Sequence, residues 1–306
     1  MQRSQFVKFA GAGAAVVAAC WLGGCGGKQD SQQESTSGST TIQVKGSDTM
    51  VNVAQAWAEV YKTVAPNVDV EVSGGGSGVG LAALERGTID IANASRDIKP
   101  EEAEQVKRNT GKDAVRFIVG FDALAVYVHK DNPMEEITLE QLAQVFAEGG
   151  TITKWSQLGV TLPDAADDEI VRVSRQSSSG TYEFFREHVL GNKDFKLGSR
   201  DMNGSKEVVE LIANTKTAIG YSGMGYATPQ VKMLKLAPAS GQPAVEPTVA
   251  NTMNKTYPLA RALELYTAGE PEGAVKSYID WMLSEAGQRI VEENGYVPLD
   301  AGPNVN

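Results

Sequence analysis

The chain has 306 residues, enough for two lobes that each bury a core. Its 42% hydrophobic and 22% charged residues match an ordinary soluble globular protein. A formal charge of −10 argues against a nucleic-acid surface, which needs a basic stripe. Only two histidines are present, His129 and His188, far apart in sequence, which argues against a histidine-rich metal site.

The N-terminal stretch reads as an export signal. Arg3 and Lys8 precede an apolar, small-residue run from Phe9 to Leu22, followed by "GGCGG". The run is short for a membrane-spanning helix, which takes roughly 20 residues. "LGGC", Leu22 to Cys25, resembles the lipobox of bacterial lipoproteins, whose cysteine becomes the acylated N-terminus. "VAAC", ending at Cys20, also passes that pattern, but the apolar core continues through Trp21 and Leu22, which favours Cys25. A plain secretory signal with two incidental cysteines is the alternative. Residues 1–24 are thus expected to leave, and removal at Cys25 leaves no second cysteine for a disulfide within the chain. Residues 25–40 are polar and form an expected disordered tether, so that a lipid would hold the globule near a membrane without inserting it.

From Thr41 the pattern alternates between periods of two and about 3.6. "TIQVKG" reads as a strand, followed by a helix with Val53, Trp57, Val60, Tyr61 and Val64 on one face. "VDVEV" is a strand, Gly78 to Arg86 a helix, and "TIDIANAS" a strand. Pro100 suits the first turn of the next helix, which Gly111 can stop. "VRFIVGFDALAVYVHKDNP" is too long for one ordinary strand and reads as two strands, or as one passing between lobes.

Thr138 with Gln141 forms a capping box for "LEQLAQVFAEG". "EIVRVS" is a strand, Thr181 to Leu190 a helix, "SKEVVELIAN" a helix, and "TAIGYS" and "VKMLKL" are strands. After "YPLARALELYT" the chain reads as helical from Gly273 to Asn294, with Gly295 as a cap. Strands joined through helices imply a largely parallel α/β sheet. Two lobes are expected: residues 41–124 with 256–306, and residues 125–255.

Three strand-to-helix turns share one chemistry: "GSDTM" (Gly46 to Met50), "SGGGSGVG" (Ser73 to Gly80) and "SSSGT" (Ser177 to Thr181). Each lies at the C-terminal end of a predicted strand, where open α/β sheets bind ligands. Each begins a helix, whose first N–H groups lack partners and whose dipole favours an anion. Glycine admits close approach, and serine and threonine add donors. Any one of these turns alone would read as an N-cap and a tight loop. Three together, one with Arg175 beside it, point to an anion.

Other glycine-loop chemistries fail on register. No lysine follows these glycines as a Walker loop requires. Val79 stands where both the dinucleotide fingerprint and the nucleophile elbow need glycine. No histidine lies near either serine loop, so a hydrolase triad lacks its base unless the distant His188 supplies it.

Taken together and in order, "GSDTM", "GGGSGVG", "IDIANASRDIKPEE", "FDALAVYVHKDNP", "RQSSSGTYEFF", "TAIGY" and "YPLARALELYT" resemble the phosphate-binding protein of the bacterial phosphate-specific ABC transporter, from about residue 42 to 300. The resemblance implies an α/β, two-lobe periplasmic-binding-protein (type II, flytrap) fold with the ligand in the cleft between lobes. It implies a binding protein and no enzyme, with no cofactor or metal. Its partners would be inorganic phosphate and a permease with its ATPase, with no nucleic acid, and it would act as a monomer. It would face the periplasm or the extracellular side, anchored through Cys25.

Carried over by position, the first-lobe contacts are Ser47, Thr49, Met50, Ser77 and Gly78, and the second-lobe contacts Arg175, Ser179, Gly180 and Thr181. Relatives can carry an aromatic residue at Met50 and an aspartate at Ser177. A further contact comes from "NASRD", where Arg96 stands in the place some relatives give to aspartate and Asp97 follows. A carboxylate there matters because HPO₄²⁻ carries a proton that sulfate lacks. Asp97 and Asp48 are both candidate acceptors. Arg96 either adds a second bidentate charge or pairs with the acids of "KPEE". Competing readings are a binder of another oxyanion, such as sulfate or molybdate, and a secreted phosphatase using Ser77 or Ser179.

Overall fold

A computed structural model describes residues 39–163 and 167–299. The expected export signal, Cys25, most of the expected tether and residues 300–306 lie outside the described residues.

The chain begins with β1 (Thr40–Gly46), α1 (Val51–Val64), β2 (Val68–Ser73), α2 (Ser77–Glu85), β3 (Ile91–Ala94) and α3 (Pro100–Thr110). The long β4 (Ala114–His129) then leads to β5 (Glu136–Thr138), α4 (Leu139–Phe146), β6 (Val171–Arg175) and α5 (Gly180–His188). Next come β7 (Arg200–Met202), α6 (Ser205–Ala213), β8 (Ala218–Gly223) and β9 (Val231–Ala237). The last elements are α7 (Val249–Met253), β10 (Ala260–Ala268), α8 (Gly273–Met282) and α9 (Glu285–Glu293).

The strands run in the order β2-β1-β3-β10-β4-β8-β6-β7, with β9 beside β4 and β5 beside β9. β4 holds this arrangement together. Its residues 114–123 pair with β10, whereas 124–128 pair with β8 and 126–129 with β9. The long apolar stretch is therefore one strand that changes partners midway. The sheet is more mixed than the alternating pattern suggests, because every pair involving β10, and the pairs of β4 with β8 and β9, are antiparallel. Parallel pairing is kept within each half, as in β1 with β2 and β3, and β6 with β7 and β8.

In the first half, Val53, Trp57 and Tyr61 of α1 are buried against Ile42, Val44, Tyr278 and Met282. Val60 and Val64, expected on the same face, are 41% and 56% exposed. Ala54 completes the buried stripe instead, leaving Val60 at its edge and Val64 at the last residue of the helix. Trp57 Nε1 donates to Gly287 O at 2.8 Å, which ties α1 to α9. The second half packs Leu124, Val126, Phe146, Trp155, Phe185, Tyr221 and Leu234.

The predicted helix from Gly273 to Asn294 is two helices. Ser284 caps α9 by accepting from Gly287 N at 3.5 Å, and its own hydroxyl donates back to Trp281 O at 2.6 Å. A local side-chain bond thus replaces the helical ladder at that turn. The capping box at Thr138 and Gln141 is formed with both bonds at 3.0 Å. The short strands β5 and β7 and the five-residue α7 carry no periodic pattern long enough to read, and the stretch "YPLARALELYT" supplies β10.

Candidate functional site

The three Gly/Ser/Thr turns meet where the two halves of the sheet face each other. The first follows β1: Ser47 precedes a 3-10 turn, Asp48–Met50, that leads into α1. The second enters α2 through Gly76, whose φ of +97° is left-handed and favours glycine. A Cβ there would also lie 2.4 Å from Ser178 O across the cleft. The third caps α5: the Ser179 hydroxyl accepts from Thr181 N at 3.2 Å and Tyr182 N at 3.4 Å.

Direct bonds join the facing walls. Gly78 N donates to Ser178 O at 3.0 Å, and Ser178 Oγ donates to Gly75 O at 3.2 Å. The hydroxyls of Thr49 and Thr181 are 2.9 Å apart. Tyr226 donates its hydroxyl to Asp48 O at 2.7 Å, and Lys99 Nζ lies 3.3 Å from Glu183. Beneath these contacts is a cluster of buried hydroxyls. Ser47 Oγ donates to Ser95 Oγ at 2.9 Å, and Ser77 Oγ accepts from Ser95 N at 3.1 Å. A Cβ on Gly180 would sit 2.3 Å from Ser77 Oγ.

Arg175 ends β6 with its side chain fully buried. Nη1 donates to Ser205 Oγ at 3.0 Å, and Nη2 to Asn203 O at 2.9 Å and Asp48 Oδ2 at 3.2 Å. Nε is buried with no partner among the described residues. The guanidinium carries five donors, so three are used here and two are left for a ligand. Burial pulls its pKa below the ordinary arginine range, and the Asp48 charge opposes that pull. Such a site gains when an anion arrives.

The remaining expected residues divide. Met50 is buried, and its N–H is spent on Ser47 O at 3.0 Å. Ser47, Thr49, Ser77, Gly78, Ser179, Gly180 and Thr181 all come together with Arg175. Arg96 is held in a two-bond fork by Glu102, at 2.7 and 2.8 Å, the pairing with the acids of "KPEE". Asp97 is turned outward to Arg116 at 2.9 Å with its side chain 78% exposed, so the structure does not bring it into the cluster. Asp48 is inside, with Oδ1 accepting from Gly75 N at 2.9 Å and Oδ2 facing Arg175. His188 stacks on Phe184 at 4.0 Å and bonds to Phe184 O at 3.0 Å, within its own helix.

Sequence reasoning missed three members: Ser95, Asp122 and Arg261. Asp122 on β4 and Arg261 on β10 are directly opposite in the strand register and form a buried pair at 2.7 Å. Their signal was a single charge inside each of two apolar strands, "IVGFDALAV" and "YPLARAL". A buried charge in such a setting needs a partner.

A family model described as the PBP superfamily domain matches residues 31–286. Phosphate-binding protein PstS of Pseudomonas aeruginosa is 34% identical over 279 residues, covering 88% of this chain and 86% of its own. PstS of Bacillus subtilis is 32% identical over 290 residues, covering 93% and 90%. A Clostridium perfringens protein solved with bound phosphate is 31% identical, with a TM-score of 0.75, over 85% of this chain and 100% of that one. An ABC-type phosphate transport receptor from Vibrio cholerae is 28% identical, with a TM-score of 0.66, over 84% and 99%. The chain belongs to the PBP superfamily, and within it stands with the phosphate-binding proteins called PstS.

Proposed function

We propose that the protein binds inorganic phosphate outside the cytoplasmic membrane and delivers it to the permease and ATPase of an ABC transporter. The observation that carries this reading is Arg175, fully buried with Nε unpartnered among the described residues, beside the hydroxyls and helix N-termini of three turns. Neutral donors disperse the charge of a dianion, and burial strengthens each of them. The ligand contacts would be Ser47, Thr49, Ser77, Gly78, Arg175, Ser179, Gly180 and Thr181, with the backbone of Met50 close by. Arg96, committed to Glu102, would act from the rim.

Binding rather than hydrolysis is favoured because Ser179 Oγ is occupied as a helix cap and the described histidines make no bond to either serine turn. Asp48 would accept the proton of HPO₄²⁻, since its carboxylate alone among the candidate acceptors faces Arg175. The lobes would be residues 41–124 with 256–306 and residues 125–255, closing as a monomer about β4. Cys25 would carry the lipid anchor, and residues 25–40 the tether.

Equilibrium dialysis with radiolabelled phosphate, competed by sulfate at two pH values, tests this reading. Phosphate should bind one to one and sulfate should compete poorly, while Asp48→Asn should narrow the gap between the two ions. Equal competition by sulfate in the wild type would instead favour the reading as a general oxyanion binder.

A further inference from the structure

We propose that Arg261 is a positioning residue for phosphate: it orders the Thr49–Thr181 hydroxyl pair so that its one free O–H is held for the ligand, without touching the ligand itself. This inference rests on the phosphate-binding reading. Arg261 lies on β10, a strand at the join of the two sheet halves, and its side chain is 2% exposed. Its five donors are all spent. Nε and Nη2 reach Asp122 Oδ2 at 3.0 and 2.7 Å. Nη1 reaches Ser95 O at 3.2 Å and Thr181 Oγ1 at 3.1 Å, and Nη2 reaches Thr49 Oγ1 at 3.3 Å. A guanidinium with no donor left is not a ligand contact, in contrast to Arg175, which has two to spare.

The consequence falls on the two threonines. Each hydroxyl has one proton and two lone pairs. Arg261 fills one lone pair on each, and the 2.9 Å bond between them uses one proton and one further lone pair. The hydroxyl that accepts in that bond then has both lone pairs filled, so its proton must point away from Arg261. The pair therefore presents a fixed donor, where free hydroxyls would rotate. Thr49 belongs to the β1 turn and Thr181 to α5, so one side chain orders a hydroxyl pair that spans both walls. Asp122 holds the fork in place and accepts Met224 N at 3.1 Å on its other oxygen. The ring of Phe184, 5.5 Å from the guanidinium carbon, covers it from α5.

The test is phosphate titration calorimetry on wild type, Arg261→Lys, Thr181→Val and the double variant, with thermal melting of each. Lysine keeps a charge beside Asp122 but cannot supply the fork. Arg261→Lys should weaken phosphate binding by about tenfold, the scale of one misdirected buried hydrogen bond. In the Thr181→Val background the same change should cost much less, because the hydroxyl pair that it orders is already broken. Wild-type affinity in folded Arg261→Lys, or equal fold-losses in both backgrounds, would overturn the proposal. Should lysine disturb folding, Arg261→Gln with Asp122→Asn removes both charges of that buried pair, leaving neither unpaired, and is read against the same criterion. Absence of phosphate binding in the wild type would sink the phosphate reading itself, and this inference with it.

Discussion

Gly180→Ala should disable phosphate binding while leaving the fold intact. Gly180 is the first residue of α5 and has no left-handed φ, so alanine suits its backbone. The added methyl, however, would meet Ser77 Oγ at 2.3 Å and Ser95 Oγ at 2.8 Å across the cleft. Neither hydroxyl can swing aside freely, since Ser77 Oγ accepts Ser95 N and Ser95 Oγ accepts from Ser47. Relief therefore requires the walls to separate by about 1 Å, and a shift of that size costs roughly a hundredfold where geometry is demanding. The bonds at risk lead to a similar figure. Thr49 with Thr181, Gly78 with Ser178, and Arg175 with Asp48 stand at 2.9, 3.0 and 3.2 Å. At about 1 kcal/mol each they total about 3 kcal/mol, again near a hundredfold. Calorimetry would read the affinity, small-angle scattering the compaction on adding phosphate, and melting the stability. Wild-type affinity with an unchanged melting temperature would refute the idea that the ligand-bound walls approach this closely.

Arg175→Ala should weaken phosphate binding at least tenfold in calorimetry, since it removes a charge-assisted contact from a buried site. Retained affinity would place the anion elsewhere. Glu264 should make stability fall with rising pH. Its residue is 1% exposed, and burial raises its pKa from 4.5 to about 7, only partly offset by the hydrogen bond from Tyr266 and by Arg116. The folded state then holds the proton more tightly than the unfolded state. Its contribution is fully present below pH 4.5 and is lost as pH rises to about 7, by at most about 3 kcal/mol. Melting curves of Glu264→Gln across that window should lose this slope; an unchanged slope would contradict the assignment.

What was legible in the sequence was local. The three turns announce themselves because glycine, serine and threonine at strand ends have few other uses in such density, and Arg175 sits two residues before the last of them. The buried face of α1 and the capping box at Thr138 were equally local. What stayed hidden depends on long-range register. Asp122 and Arg261 become partners only because β4 and β10 run antiparallel with these residues opposite, and no local pattern sets that pairing. Asp48 and Arg175 meet across facing walls, again without a sequential cue. For Arg96 the sequence leaves two readings open, and the structure forms the pairing with Glu102, a partner six residues on that only the folded turn selects. The break before α9 leaves no periodic sign, because Ser284 fits a helical pattern until its hydroxyl turns to cap.

A crystal structure grown with phosphate would locate the ion. Tetrahedral density should touch Ser77, Ser179 and Arg175 together, with Arg175 Nε as one of the donors and Arg261 out of contact. Density elsewhere on the molecule, or an occupied cleft in which Arg175 makes no bond to the ion, would contradict this placement.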